Sequence, residues 1–250
     1  MQTRNGHIFI GTSGWSYAHW REVFYPCKLP SRDYLAFYAT EFPTVEVNSS
    51  FYHLPRETTV ARWVSVTPEH FLFAIKASRY LTHQLRLRGC EDPLQTFLRL
   101  VAGLGAKLGP LLFQLPPGLH RDTPLLAAFL DLLPSGLRIA VEFRHKSWYD
   151  DEVFALLASR GTALCVHDLR GSEAPPMATA PFAYMRLHGP QQAYTGSYSS
   201  DALTAWAERI TTWATEGRDV YLYFNNDIGG HAVQNARELR ALVASAVGAG

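Results

Sequence analysis

Three pairs of polar residues two positions apart stand at or just past the ends of short apolar runs: Glu46 with Asn48, Glu142 with Arg144, and Arg186 with His188. A spacing of two puts both members of a pair on one face of a β-strand. Lys76 and Gln114 end two further runs, and Asn225 and Asp227 follow another. On strands that share one interior, these groups would converge on a single mouth. The chemistry they offer is proton transfer on a small anion. Arg144 and Arg186 present guanidinium forks that match carboxylate and phosphate geometry. Glu142 and His188 are of the types that act as general acid and base once burial tunes them. Lys76 stands where a buried charge is costly, and beside other cations its amine would become a base or a nucleophile. A salt bridge from Lys76 to Glu46 or Glu142 is the competing reading. Glu46, Asn48, Gln114, Asn225 and Asp227 would orient the substrate, and Trp15 and Tyr17 could stack on it.

A second grouping, Glu142, Asp168, His188 and Asp227, has the donor types for a divalent metal. Its spacing matches neither HxH nor HExxH, and Arg144 and Arg186 would repel a cation, so no metal or cofactor is assigned. The segment 77–91 carries Arg79, Tyr80, His83, Arg86 and Arg88 and is expected to be a lid or a solvated loop. Trp20, Phe51, Tyr52 and Trp148 read mainly as aromatic anchors of the rim.

Eight short β-rich runs must position these residues: 7–11, 44–48, 71–76, 110–115, 138–144, 162–168, 182–188 and 219–225. Apolar runs of this length suit strands buried on both faces of a parallel sheet. Helical patterns fall between most of them. Ser31 is expected to cap a helix bearing Tyr34, Leu35 and Tyr38. Further helices are expected over 58–66, from Asp92-Pro93 to Ala106, over 125–133 after Thr123-Pro124, and over 150–160, 201–215 and 230–247. The exception is 169–181, too rich in Pro and Gly for a helix. Eight strand–helix units over 250 residues predict an α/β fold, a TIM-like (β/α)₈ barrel in one domain spanning 1–250, with an irregular crossover between strands 6 and 7. An open doubly wound sheet is the rival. No GxGxxG or Walker-A pattern follows a strand, which argues against its nucleotide-binding forms.

The composition narrows the partners. Lys+Arg number 23 and Asp+Glu 22, a formal net charge of +1, so no global field grips nucleic acid or an anionic membrane. Only Lys28, Lys76, Lys107 and Lys146 are lysines. Cys27, Cys90 and Cys165 are far apart and form no CxxC pair, which suits a reducing cytoplasm. No apolar stretch has the length of a membrane span or signal segment.

The motifs as a set resemble a known family. GTSGWSY (11–17), FYP (24–26), VEVNSSFY (45–52), FAIKASRYLTH (73–83), GPLLFQLPP (109–117), AVEFRHKSW (140–148), YMRLHG (184–189) and YFNND (223–227) are similar to the YecE-like family, domain of unknown function 72. The resemblance runs in order along nearly the whole chain. It implies a TIM-barrel-like fold and a cytoplasmic prokaryotic protein, and assigns no role to any residue.

The resulting expectation favours an enzyme: a metal-independent barrel acting by acid–base chemistry on a small anionic molecule, phosphorylated or carboxylated and sugar-like in size. The alternatives are a divalent-metal hydrolase or isomerase, phosphodiesters included, and a barrel that binds a metabolite or partner without turnover.

Overall fold

The computed structural model describes residues 5–190 and 192–248. Of the expected 1–250 domain, positions 1–4, 191 and 249–250 lie outside the described residues. Eight parallel strands appear where the apolar runs predict them: β1 Ile8–Thr12, β2 Thr44–Val47, β3 Leu72–Lys76, β4 Leu108–Gln114, β5 Ile139–Glu142, β6 Ala163–His167, β7 Phe182–Leu187 and β8 Asp219–Phe224. They hydrogen-bond in the order β1-β8-β7-β6-β5-β4-β3-β2, so the curled sheet brings β1 and β2 together at its seam. The helices are α1 Tyr34–Glu41, α2 Ser49–Tyr52, α3 Glu57–Ser65, α4 Glu91–Ala102, α5 Thr123–Asp131, α6 Asp151–Ser159, α7 Ser200–Thr215 and α8 His231–Gly248. No helix lies between β6 and β7, as the Pro- and Gly-rich crossover predicts. No helix among the described residues is long and apolar enough to cross a membrane.

Period-two alternation splits the strand residues into two cores. One set, with Ile10, Val45, Ile75, Phe113, Val141, Val166, Met185 and Leu222, packs beneath the helices. Helix α4 meets it with Leu94, Phe97 and Val101, and α7 with Leu203, Ala207, Ile210 and Ala214, both at helical spacing. The other set fills the barrel. Ala74, Ala140 and Ala163 leave room there for Tyr184, Tyr221 and Tyr223. A bulge in β4 absorbs Pro110, which cannot donate to the ladder: Phe73 pairs Leu108 while Ile75 pairs Leu111. Beyond the bulge, Leu112 and Gln114 follow the inward face.

Several helix starts shift from expectation, three of them where the sequence offers a cap or a starting Asp-Pro or Thr-Pro pair. Ser31 is no N-cap but opens a short 3₁₀ turn, Ser31–Asp33, that leads into α1. Helix α5 is capped one residue earlier, by Asp122, whose Oδ1 accepts from the Leu125 N–H at 3.0 Å. The third is α4, which starts one residue early, at Glu91. It also stops at Ala102, because Gly103 and the left-handed Gly105 (φ +55°) end it.

The seam between β1 and β2 has little backbone pairing of its own: a Ser13–Glu46 bridge with the Gly14 N–H donating to the Glu46 carbonyl at 2.8 Å. The buried Tyr38 hydroxyl completes it. It accepts from the Thr12 N–H at 2.9 Å and donates to the Thr44 carbonyl at 3.1 Å. Gly11 makes this approach possible, since a Cβ there would sit 2.2 Å from the Thr44 carbonyl oxygen. Gly11→Ala is therefore expected to lower unfolding free energy by about 3 kcal/mol. Tyr38→Phe, which strands a buried donor and acceptor, is expected to cost about 1–3 kcal/mol. Urea denaturation of both variants checks this; wild-type midpoints would contradict the seam as described.

Candidate functional site

At the C-terminal end of the barrel the inward face turns from apolar to charged. Directly above Tyr184 and Ala140 come Arg186 and Glu142, with Glu46 opposite on β2. All three are buried to within 1%. Arg186 Nε and Nη2 grip Glu46: Nε lies 3.1 and 3.0 Å from the two carboxylate oxygens, and Nη2 is 2.9 Å from Oε1. Arg186 Nη1 donates to Glu142 Oε2 at 2.8 Å. Glu46 also accepts from the Ser13 hydroxyl (2.8 Å) and the Tyr184 hydroxyl (2.6 Å). Arg144 pairs with Glu142 Oε1. Two carboxylates and two guanidiniums thus cancel in charge.

Burial alone would push both carboxyls up. The Arg186 charge overrides it at Glu46, and Arg144 with Arg186 override it at Glu142, which falls well below the usual carboxylate range. Glu142 is consequently fixed as an anion. This changes the expected roles. Arg186 was expected as a fork open to substrate and Glu46 as a substrate ligand; both lie under the mouth, bonded to one another. Glu142 and His188 were expected to move protons. His188 Nε2 instead accepts from Arg144 Nη2 at 3.1 Å and from Arg186 Nη1 at 3.2 Å. Two donors on Nε2 place the ring proton on Nδ1, toward Asp168 Oδ1 at 3.7 Å. Burial, and secondarily Arg186, pull His188 down to about 4 against the opposing effect of Asp168. Its lone pair is occupied at neutral pH.

Lys76 has the opposite situation. It is buried at the end of β3, yet its Nζ makes no hydrogen bond or ion pair with the described residues and rests 4.2 Å from the centroid of the Phe51 ring. The competing reading, a salt bridge to Glu46 or Glu142, is not formed; the arginines already hold both carboxylates. Burial and then Arg186 lower the Lys76 amine from 10.5 to about 7, with Arg144 adding to them and Glu142 and Glu46 opposing.

The remaining expected residues surround this centre. Gln114 lies in register with Glu142 on the neighbouring strand, and its Nε2 donates to the Leu115 carbonyl at 3.1 Å. Asn225 is buried beyond the end of β8. Asn48 precedes α2, and its Oδ1 is buried without a hydrogen-bond partner among the described residues. Asn48 joins Trp15, Tyr17, Gly14, Ser16 and Ser49 around a cleft of about 200 Å³. Within it the Tyr17 hydroxyl donates to the Ser13 carbonyl at 2.6 Å, and Trp15 packs edge-on against Trp63. Asp227 turns toward His19, whose Nε2 is 3.8 Å from its Oδ2. Among the described residues, no group of three or more His, Cys, Asp and Glu could hold a metal ion. The donor chemistry agrees, since Glu142 serves two arginines and Asp168 accepts from the Tyr198 hydroxyl and the His188 backbone N–H.

Two contributors were missing from the expected site. Tyr198 anchors Asp168, and nothing in its local sequence marks it. His83 lies on a π-helical turn, Tyr80–Gln84, a form concentrated at functional sites. The segment 77–91 is neither a solvated loop nor a free lid, for Leu81, Thr82 and Leu87 anchor it in the core. Trp20 and Trp148 are fully buried anchors, and Tyr52 is exposed.

Arg186→Met would leave two carboxylates buried without their shared cation and is expected to destabilise the fold by about 3–5 kcal/mol. Imidazole ¹⁵N shifts should report His188 as the Nδ1–H tautomer, neutral across the range above about 4. Stability unchanged in Arg186→Met, or a His188 that titrates near neutrality, would contradict this network.

Comparisons with known proteins agree with this architecture. The chain is 25% identical over 269 residues to UPF0759 protein YunF of Bacillus subtilis, covering 94% of both chains. It is 34% identical over 143 residues to UPF0759 protein YecE of Escherichia coli, covering 57% of this chain and 50% of that one. A crystal structure of a DUF72 family protein from Thermotoga maritima superposes with a TM-score of 0.87 at 27% identity, covering 95% of this chain and 99% of that one. One from Enterococcus faecalis gives 0.80 at 23% identity, covering 96% and 99%. A glycoside hydrolase family 5 enzyme from Prevotella bryantii, at 8% identity and a TM-score of 0.51 over 97% of this chain and 96% of that one, shares the fold alone. The family model for protein of unknown function DUF72 matches residues 9–249, and the chain belongs to that family.

Proposed function

We propose that this barrel is a metal-independent enzyme that carries out proton-transfer chemistry on a small phosphorylated or carboxylated molecule, with Lys76 as the reacting group. The observation that carries the reading is the Lys76 amine, unpaired among the described residues. Of the three expected catalytic residues, Glu142 is held as an anion by two arginines and His188 has its lone pair occupied. Lys76 alone keeps an available electron pair, at an amine poised near neutrality.

The groups facing Lys76 explain the poise. Glu46 comes from β2, Glu142 and Arg144 from β5 and its end, Arg186 from β7, and His83 from the π-helical turn. The carboxylates are neutralised by the arginines, so Lys76 meets little net negative charge. An anionic substrate would supply it. Arg144 is the guanidinium at the mouth, and its Nε has no hydrogen-bond partner among the described residues. Anion binding therefore falls to Arg144 and Lys76, with Arg186 contributing only its field from below. Gln114, Asn48 and Asn225 offer amides to orient the substrate, and the Trp15–Tyr17 cleft offers an aromatic wall.

The lysine has a stability signature that needs no substrate. Its folded pKa lies below its unfolded one, so between about 7 and 10.5 the unfolded chain binds a proton that the native state lacks. Stability from this group consequently rises with pH across that window, and its destabilising effect is fully present below about 7. Lys76→Met should be more stable than wild type below neutrality, with the advantage fading toward 10.5.

Function is tested by screening chelator-treated protein against phosphorylated and carboxylated small molecules by thermal shift, then assaying any ligand for turnover. Arg144→Gln should weaken binding about tenfold. Lys76→Met should weaken binding to a similar degree and abolish turnover of the substrate that still binds, and wild-type turnover should rise with pH through about 7. Turnover that survives Lys76→Met, or that requires added metal, would overturn the proposal.

A further inference from the structure

The four lysines of this chain have sharply different surroundings. Lys28 and Lys146 are exposed. Lys107 is as buried as Lys76, but its Nζ donates to the Val64 carbonyl (2.6 Å), the Thr67 carbonyl (2.7 Å) and the Thr67 hydroxyl (3.0 Å). Those three acceptors match the three donors of an ammonium, so Lys107 is a structural cation tying the end of α3 to the barrel. Lys76 has no acceptor of this kind among the described residues. A buried lysine without acceptors is built to hold an amine, and an amine has a nucleophilic lone pair.

The neighbouring π-helical turn supplies a matching proton carrier. His83 packs edge-on against Phe51, with ring centroids 5.0 Å apart, so the imidazole and Lys76 Nζ share one aromatic platform. His83 Nδ1 lies 2.9 Å from the Thr82 hydroxyl, while Nε2 has no hydrogen-bond partner among the described residues. Burial, reinforced by Lys76 and Arg79, lowers His83 to about 4, so its ring is neutral and can accept a proton. Arg144 stands across the mouth as an anchor for an anion.

We infer that Lys76 condenses with the carbonyl group of a small anionic aldehyde or ketone to form an imine, with Arg144 holding the anionic end and His83 carrying protons. The inference rests on the reading above of Lys76 as the reacting amine, and it names the substrate class. The Nζ lone pair attacks the carbonyl carbon, a C–N bond forms, and the C=O π pair moves to oxygen. His83 takes one proton from the nitrogen and returns it to the oxygen, giving a carbinolamine. The C–O bond then breaks as the nitrogen lone pair closes the C=N bond, and His83 relays the remaining nitrogen proton to the departing hydroxyl, which leaves as water. Amine and carbonyl become imine and water, with no oxidant or reductant required. The imine is an electron sink for deprotonation or bond cleavage at the adjacent carbon.

The test uses intact protein at neutral pH, glycolaldehyde phosphate as probe and sodium cyanoborohydride as trap, with peptide mapping by mass spectrometry. Neutral glycolaldehyde is the comparison, and Lys28, Lys107 and Lys146 are internal controls. The expected result is a reduced adduct on Lys76 that forms about tenfold faster than on Lys28 or Lys146. It should prefer the phosphorylated probe, lose that preference in Arg144→Gln, slow in His83→Gln and vanish in Lys76→Arg. Competitive acetylation with trace acetic anhydride, run in parallel, reads the free amine itself. Rapid acetylation of Lys76 without a trapped imine would overturn the carbonyl assignment and leave the amine reading standing. Slow acetylation, with adducts only on Lys28 and Lys146, would overturn both.

Discussion

A single guanidinium, shared by two carboxylates inside a closed barrel, sets the terms for everything around it. Arg186, Glu46 and Glu142 come from three strands and lie where water does not reach. Each alone would be intolerable there, because an unpaired buried charge costs several kcal/mol. Together they satisfy one another, and Arg144, Ser13 and Tyr184 take up the remaining valences. Such a cluster adds little net stability over an apolar filling of the same volume. What it supplies is a charge-balanced base to the mouth whose carboxylates are already occupied, held by rigid strands.

The other groups of the mouth take their states from that pairing. His188 turns its lone pair toward the two arginines and its proton toward Asp168, and so remains neutral. Glu142 remains ionised. Lys76 finds both nearby carboxylates occupied and two guanidiniums close by, in a site with little water. Its ammonium form is disfavoured by the same arrangement that favours every other charge there. Barrel closure maintains this balance. Ser13 is a ligand of Glu46 and also half of the β1–β2 bridge, so the seam stitched by Gly11 and Tyr38 holds one side of the ion cluster in register.

Much of this was legible from the residues. The strands announce themselves as runs buried on both faces, and the spacing of two in Glu46/Asn48, Glu142/Arg144 and Arg186/His188 identifies the inward face without reference to any fold. The crossover 169–181 betrays its irregularity through proline and glycine. What spacing cannot convey is who pairs with whom. Arg186 reaches Glu46 across 140 positions of sequence, and that choice, fixed by the barrel's diameter and by the small residues of β3 and β5, decides which cation is consumed and which amine is left. The same blindness hides Tyr198, the support of Asp168. His83 sits in a segment whose buried Leu81 and Leu87 look, in sequence, like the scattered apolar residues of any loop. Ser31 shows the local limit: its residue type suits a cap, but the chain spends one 3₁₀ turn before α1 begins.

The chemistry of the mouth turns on the state of one amine. With only four lysines in the chain, selective isotopic labelling makes the Lys76 Nζ and Cε resonances separately observable. An NMR titration of the intact protein should show Lys76 losing its proton with a midpoint at about 7, and moving upward when Arg144 is replaced by Gln. A Lys76 that holds its proton to the ordinary value of 10.5 would contradict the account.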